Sequence, residues 1–410
     1  MPSQQPPYNP KNLIPRLQDH LRRAAYPGLI DAALAPTITN KANYAATTIA
    51  GKVFHDYGAS QNVYVFGGAA SLYTHFSGGL NDGAKHNFYF GDGGGKVSGA
   101  LGQLCVAFRT DAPQIDFMFS GAPLWTLLVD GKLAAASYIT STNTTNDQFL
   151  ASVVFPARKL QTIVLSIAGD SAGFYVGPND TVLPMTLDTP AIGFMTDSYG
   201  QSKGIAYAAG LALGTAAKLG LAKVRLDPCG GSGYVTSNTG VTPNPNDFKT
   251  RLGVSTKATP AVDLHVTCGG INDAALTAPQ AKAYFQKVRS LFPTCVLAAT
   301  GPWCPNGLYA VNAAQKYMGL RDSIKAGLAQ AGGAWVFVDN LAGVWSNSSG
   351  QAGECGNGPW QTGAGYAGAT TGTGNGDLYI DSGGTHPVPA GIEYLADRLG
   401  SALRASLLAL

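Results

Sequence analysis

Four short segments carry residues suited to a negative charge developing on oxygen. The first is Asp197-Ser198, at the end of the apolar run 191–196 and directly before a helical stretch. A serine at such a junction sits at a helix N-terminus, where unpaired backbone N–H groups and the helix dipole favour an oxyanion. The second is Cys229-Gly230-Gly231-Ser232-Gly233, whose glycines let bare N–H groups approach a ligand. The third, Gly269-Gly270-Ile271-Asn272-Asp273, offers a side-chain amide donor. The fourth is Gly384-Thr385-His386-Pro387, and His386 is one of two histidines beyond residue 190.

The first three segments each close an apolar β-type run. Such runs at 191–196, 222–227, 261–268, 294–300 and 334–339 alternate with helical stretches near 201–220, 277–291, 307–330 and 390–408. Near-continuous apolar strands alternating with helices predict an α/β domain, a parallel sheet with helices on both faces. Ligands of such sheets bind at the carboxyl ends of the strands, where these segments lie. Before residue 186 the period is different. Leu104, Val106 and Phe108 alternate with polar or small residues, as do Ile115, Phe117 and Phe119, and Ile163, Leu165 and Ile167. With Asp130-Gly131 as a hairpin turn, this predicts an antiparallel β-sandwich. Leu13, Leu17 and Leu21 mark a helix near the start. The organisation expected is a helical segment over 1–50, a β-sandwich over 51–185 and the chemistry-bearing domain over 186–410.

Composition narrows the partners. Only 12% of the 410 residues are charged and 53 are glycine, which implies many turns and a weakly charged surface. The net charge of +3 comes from Lys11, Arg16, Arg22 and Arg23 against Asp19, so the rest of the chain sums to zero. No basic face for nucleic acid is expected. MPSQQPPYNP lacks the charged and apolar regions of a signal peptide, and no run of about 20 apolar residues predicts a membrane span. The six cysteines have no zinc-ligand spacing. Cys304 and Cys355 stand in loops and form a disulfide candidate if the chain is exported, whereas Cys268 and Cys295 read as buried thiols. The low charge suits an extracellular or phage-particle setting.

Taken in order, the four segments resemble the SGNH (GDSL-type) hydrolase family over residues 190–405. Asp197-Ser198 matches its nucleophile block, Gly233 its glycine block, Gly270-x-Asn272-Asp273 its asparagine block, and His386-Pro387 with Gly391 its histidine block. The sandwich, with Phe108–Pro113 and the Val129-Asp130-Gly131 turn, looks like the accessory jelly roll of SGNH-type carbohydrate esterases. The resemblance implies a flavodoxin-like catalytic domain with Ser198 as nucleophile and His386 as general base and acid. It implies an oxyanion hole from the N–H groups of Ser198 and Gly233 and the Asn272 amide, with Gly231 as the alternative to Gly233. The chain departs from the pattern twice. Thr196 replaces the usual glycine, and Gly383 stands where the triad acid belongs, three residues before the histidine. Either the loop delivers Asp381, or Ser198 and His386 act as a dyad, or activity is impaired.

A literal Gly-Asp-Ser at 169–171 is a decoy, because a β-type run follows it and no helix has room there. Gly91–Lys96 lacks the flanks of a phosphate loop, and His265, inside an apolar strand, reads as a core histidine. Trp303, Trp345 and Trp360 fall in loops at the serine's end of the sheet and are candidates for stacking on sugar faces. The expected activity is a serine esterase that removes small acyl groups, such as acetyl, from a polysaccharide or oligosaccharide. No metal or organic cofactor is implied. The rivals are a lipid or aryl esterase, an O-acyltransferase, and a glycan-binding protein with a degenerate site.

Overall fold

The computed structural model describes residues 13–24, 27–42, 45–57, 62–66, 69–73, 88–90, 103–136, 139–140, 148–201, 210–240, 245–255, 262–303, 311–341, 360, 365–372 and 374–410. Cys304, Trp345, Cys355 and the Gly91–Lys96 loop lie outside them.

The leucines at 13, 17 and 21 recur every fourth residue, and helix α1 (Leu13–Arg23) buries all three. Twelve strands follow: β1 (Thr37–Asn40), β2 (Val53–Asp56), β3 (Tyr64–Phe66), β4 (Ala69–Tyr73), β5 (Phe88–Phe90), β6 (Gln103–Thr110), β7 (Gln114–Val129), β8 (Lys132–Leu133), β9 (Ile139–Thr140), β10 (Gln148–Val154), β11 (Gln161–Val176) and β12 (Val182–Pro184). The long strands β7 and β11 form the antiparallel spine, and register shifts at Ala168/Asp170 and Ser171/Gly173 interrupt their ladder. Such bulges bend and twist a strand pair. The period-two residues point inward: Phe117, Phe119, Leu165 and Ile167 join Phe108, Trp125, Phe149 and Phe174 in one core. At the β7–β8 turn, Asp130 and Gly131 both have positive φ (49° and 78°), the conformation a two-residue hairpin demands.

The second half runs β13 (Ala191–Thr196), α2 (Ser198–Gln201), α3 (Gly210–Lys218), β14 (Lys223–Pro228), α4 (Phe248–Ser255), β15 (Leu264–Cys268), α5 (Ala278–Leu291), β16 (Val296–Thr300), α6 (Val311–Gln330), β17 (Trp335–Val338), α7 (Gly376–Tyr379) and α8 (Pro389–Leu408). The five strands are parallel in the order β14-β13-β15-β16-β17. That second-first-third-fourth-fifth order is the flavodoxin-like doubly wound arrangement, with a crevice at the carboxyl end of the first strand. All six residues of β13 are buried, so its sequence shows no alternation. Leucines of α8 pack on one face of the sheet. Aromatics of α4 and α5, with leucines of α6, pack on the other.

Helix α1 belongs to this packing. Its leucines share a core with Leu399, Leu403 and Leu407 of α8, and Arg404 donates to the Ala24 carbonyl at 2.9 Å. Strand β1, by contrast, pairs with β10 in the sandwich. The segment 1–50 is therefore divided between the two sheets. Leu17 is 1% exposed, so Leu17→Ala should destabilise the α/β half by about 2–5 kcal/mol in a urea titration. A cavity of about 470 Å³ lies between the outer sandwich face (Leu128, Val164) and α3 (Leu213, Ala217). It reaches Leu221 and Ala222, ahead of the first residue of β14, and so is at the opposite end of the sheet from Ser198.

Candidate active site

Strand β13 ends at Thr196, and the chain turns at Asp197 into α2, whose first residue is Ser198. Asp197, not the serine, caps this turn: its Oδ1 accepts the Tyr199 N–H at 3.0 Å. Ser198 is half-buried at the mouth of the crevice. Tyr199 then reaches the histidine loop, its ring centroid 5.9 Å from that of His386 and its hydroxyl donating to the Thr385 carbonyl at 2.7 Å. Residues nearly two hundred positions apart are thus brought to one place.

The glycine and asparagine blocks meet beside them. The Asn272 amide donates to the Ser232 carbonyl at 2.9 Å, tying the ends of β14 and β15 together. Asp273 accepts the N–H groups of Tyr234, Val235 and Thr236 at 2.9, 3.1 and 3.0 Å, which fixes the loop after β14. This explains the glycine at 233, because a Cβ there would fall 2.5 Å from both Asp273 carboxylate oxygens. The Gly233 N–H itself donates to the Thr236 carbonyl at 2.8 Å and is committed within its own loop. Gly231, with φ of +73°, occupies the alternative position in the run.

His386 follows a tight loop. The Asp381 N–H donates to the His386 carbonyl at 2.7 Å, and Gly384, at φ +70°, closes back on the Asp381 carbonyl at 3.0 Å. Asp381 Oδ1 accepts the N–H groups of Thr385 and His386 at 3.1 and 3.2 Å, while Oδ2 lies 3.9 Å from His386 Nδ1. The carboxylate stands near the imidazole but beyond hydrogen-bond reach of Nδ1. Asp377, the other nearby acid, is turned to the N–H groups of Thr371 and Gly372.

Of the aromatic candidates, Trp303 is 2% exposed and stacks on Tyr199 at 5.5 Å, so its ring is part of the wall. Trp360, half-buried and 6.1 Å from Trp303, offers the more accessible ring. Among the described residues, no group of three or more His, Cys, Asp or Glu could hold a metal ion. The decoy serine, Ser171, is fully buried in β11 and donates to the Met118 carbonyl at 2.7 Å. His265 is a core histidine whose Nε2 meets the Tyr284 hydroxyl at 3.1 Å, and burial pushes its pKa down to about 3.

Of two buried residues beneath the site, Arg251 is not signalled by the sequence, and Asp197 is signalled only as the residue before the serine. Arg251, on α4, donates to the Thr196 carbonyl at 2.9 Å and to the Asp227 carboxylate at 2.6 Å, pinning the carboxyl ends of β13 and β14. Asp197 is fully buried, and desolvation raises its pKa to about 7, with the charge of Asp273 adding to the rise. An unfolded aspartate titrates near 3.9, so folding takes up a proton between about pH 4 and 7. The associated stability is full below that window, falls as pH rises to about 7 and is flat above, by roughly 4 kcal/mol at most. Burial of His265 works the opposite way below about pH 6.5, so the effect is read as a difference between variants: in thermal melts from pH 5 to pH 8 the native protein should lose stability relative to Asp197→Asn as pH rises.

The fold is a flavodoxin-like parallel sheet preceded by an antiparallel sandwich, and the serine, glycine, asparagine and histidine segments stand in the loops at the carboxyl edge of that sheet. No protein-family model and no curated protein matches the chain. Among solved structures it is similar to a family two carbohydrate esterase from Clostridium thermocellum in complex with cellohexaose, at 15% identity and a TM-score of 0.49, covering 76% of this chain and 94% of that one. It is also similar to an acetyl xylan esterase from the rumen bacterium Butyrivibrio proteoclasticus (12% identity, TM-score 0.46, 87% and 98% covered). A putative GDSL-like lipase from Bacteroides ovatus matches at 12% identity and a TM-score of 0.45, with 74% and 84% covered. At these values the likeness is one of fold and says nothing of substrate.

Proposed function

We propose that this protein is a serine esterase that removes small acyl groups, such as acetyl, from a polysaccharide or oligosaccharide. The observation that carries the reading is the contact between Tyr199, the residue after Ser198, and the His386 loop. It joins a serine at a helix start to an imidazole at the carboxyl edge of the sheet. In this reading Ser198 Oγ attacks the ester carbonyl while His386 takes its proton. The tetrahedral oxyanion is met by the Ser198 N–H, by Gly231 in place of the internally bonded Gly233, and by the second N–H of the Asn272 amide, whose first is given to the Ser232 carbonyl. His386 then gives its proton to the departing sugar hydroxyl, and water releases the acyl group from Ser198. Trp360 is the better placed of the described tryptophans to stack on a sugar face.

The test is acetate release from a panel of acetylated polysaccharides, run beside a long-chain ester and an added sugar acceptor. Acetate from one or more polysaccharides, exceeding cleavage of the long-chain ester, is the expected result. Cleavage of the long-chain ester alone, transfer of acetyl to the acceptor, or sugar binding without acetate would each overturn the reading in favour of a different one.

A further inference from the structure

The side chain next to the serine does more than fill the core. Tyr199 is 1% exposed, and its ring is held between the Trp303 indole, stacked at 5.5 Å with 13° between planes, and the His386 imidazole, 5.9 Å away at 43°. Its backbone N–H is fixed by Asp197 Oδ1 and its hydroxyl donates to the Thr385 carbonyl at 2.7 Å. Trp303 is in turn backed by Trp360 at 6.1 Å. The histidine loop is stiffened internally by Asp381, but Asp381 lies on that same loop and cannot set where the loop stands relative to α2. The Tyr199 hydroxyl crosses that gap and grips the peptide unit immediately before His386.

We propose that Tyr199 is a positioning residue, a strut that sets the separation and angle between Ser198 and His386; this rests on the esterase reading above. Ring and hydroxyl have separable parts in it. The stack on Trp303 fixes the direction of the strut, and the hydrogen bond fixes its length at the Thr385 carbonyl. Misplacing reacting groups by about 1 Å can cost about 10²-fold in rate, so loss of the hydroxyl alone should be visible.

The experiment compares the native protein with Tyr199→Phe, which keeps the stack and loses the hydrogen bond, and Tyr199→Leu, which loses both. Each is measured for kcat and KM on a small acetyl ester, for melting temperature, and for the rate at which a fluorophosphonate labels Ser198. Labelling needs an activated serine but no glycan, so it separates this proposal from the choice of substrate. Expected for Tyr199→Phe is a drop of about 10- to 100-fold in both kcat and labelling rate, with KM within about twofold and the fold retained. Tyr199→Leu should fall further. Labelling of Tyr199→Phe at the native rate, or a loss confined to KM or to melting temperature, would overturn the strut. A native protein that labels at Ser198 yet releases no acetate from any polysaccharide would leave the strut standing and remove the proposed substrate. A native protein that does not label at Ser198 would remove both.

Discussion

Ser198→Ala is expected to abolish ester hydrolysis, by about 10⁶-fold in kcat, in a protein that folds and melts as the native one does. The size follows from what the substitution removes in the proposed mechanism: without Oγ no acyl-enzyme forms, and neither His386 nor the oxyanion donors has a tetrahedral intermediate to serve. The retention of fold follows from the local structure. Ser198 is half-buried, and the cap on the Tyr199 N–H comes from Asp197, so alanine leaves that hydrogen bond in place. Ser171→Ala is the matched control. Its Oγ donates to the Met118 carbonyl inside the sandwich, so its loss should cost about 1 kcal/mol of stability and no activity. Hydrolysis of a chromogenic acetyl ester, with a thermal melt on each variant, decides the matter. Full activity in Ser198→Ala would remove the assignment, and loss in Ser171→Ala would move it to the sandwich.

The parts of this arrangement that are legible in the sequence are those written by periodicity. Strands β13, β15 and β16 are buried along their whole length and so read as near-continuous apolar runs, and the serine and asparagine blocks stand where β13 and β15 end. The sandwich strands alternate because one side meets the aromatic core. What periodicity does not carry is which surface a helix meets. The leucine stripe of α1 predicts a helix but not its docking on α8, nearly four hundred residues away.

Tertiary polar contacts are equally silent in the sequence. Arg251 sits on the short helix α4, where a lone arginine reads as a solvated side chain; only the meeting of Thr196 and Asp227 beneath it makes it a buried pin. Gly233 matches the glycine block by position. The structure gives that glycine a steric reason, the approach of Asp273, and commits its N–H to Thr236. Trp303 reads as a loop aromatic and becomes a buried backing for Tyr199, because nothing local announces that Tyr199 will stack on it.

The remaining large effect concerns the histidine and its acid. His386→Ala should cost at least about 10⁴-fold, since in the proposed mechanism it removes the base that activates Ser198 and the acid that serves the leaving hydroxyl. For Asp381 the geometry sets a smaller figure. In a Ser-His-Asp protease the aspartate hydrogen-bonds directly to the imidazole, and converting it to asparagine costs about 10⁴. Here Asp381 Oδ2 is 3.9 Å from Nδ1, and the side chain is about one-third exposed. Its effect on a developing imidazolium is therefore a charge effect across a partly solvated gap, and screening reduces it. Asparagine keeps an oxygen to accept the N–H groups of Thr385 and His386, so the loop should survive while the charge is lost. Asp381→Asn should accordingly lower kcat by about 10- to 100-fold. Asp381→Ala should lower it further and depress the melting temperature, because two backbone donors lose their acceptor. Steady-state kinetics on the three variants separates the mechanisms: an Asp381→Asn loss near 10⁴ means the carboxylate closes onto Nδ1 during turnover, and a loss under about threefold means that Ser198 and His386 act as a dyad.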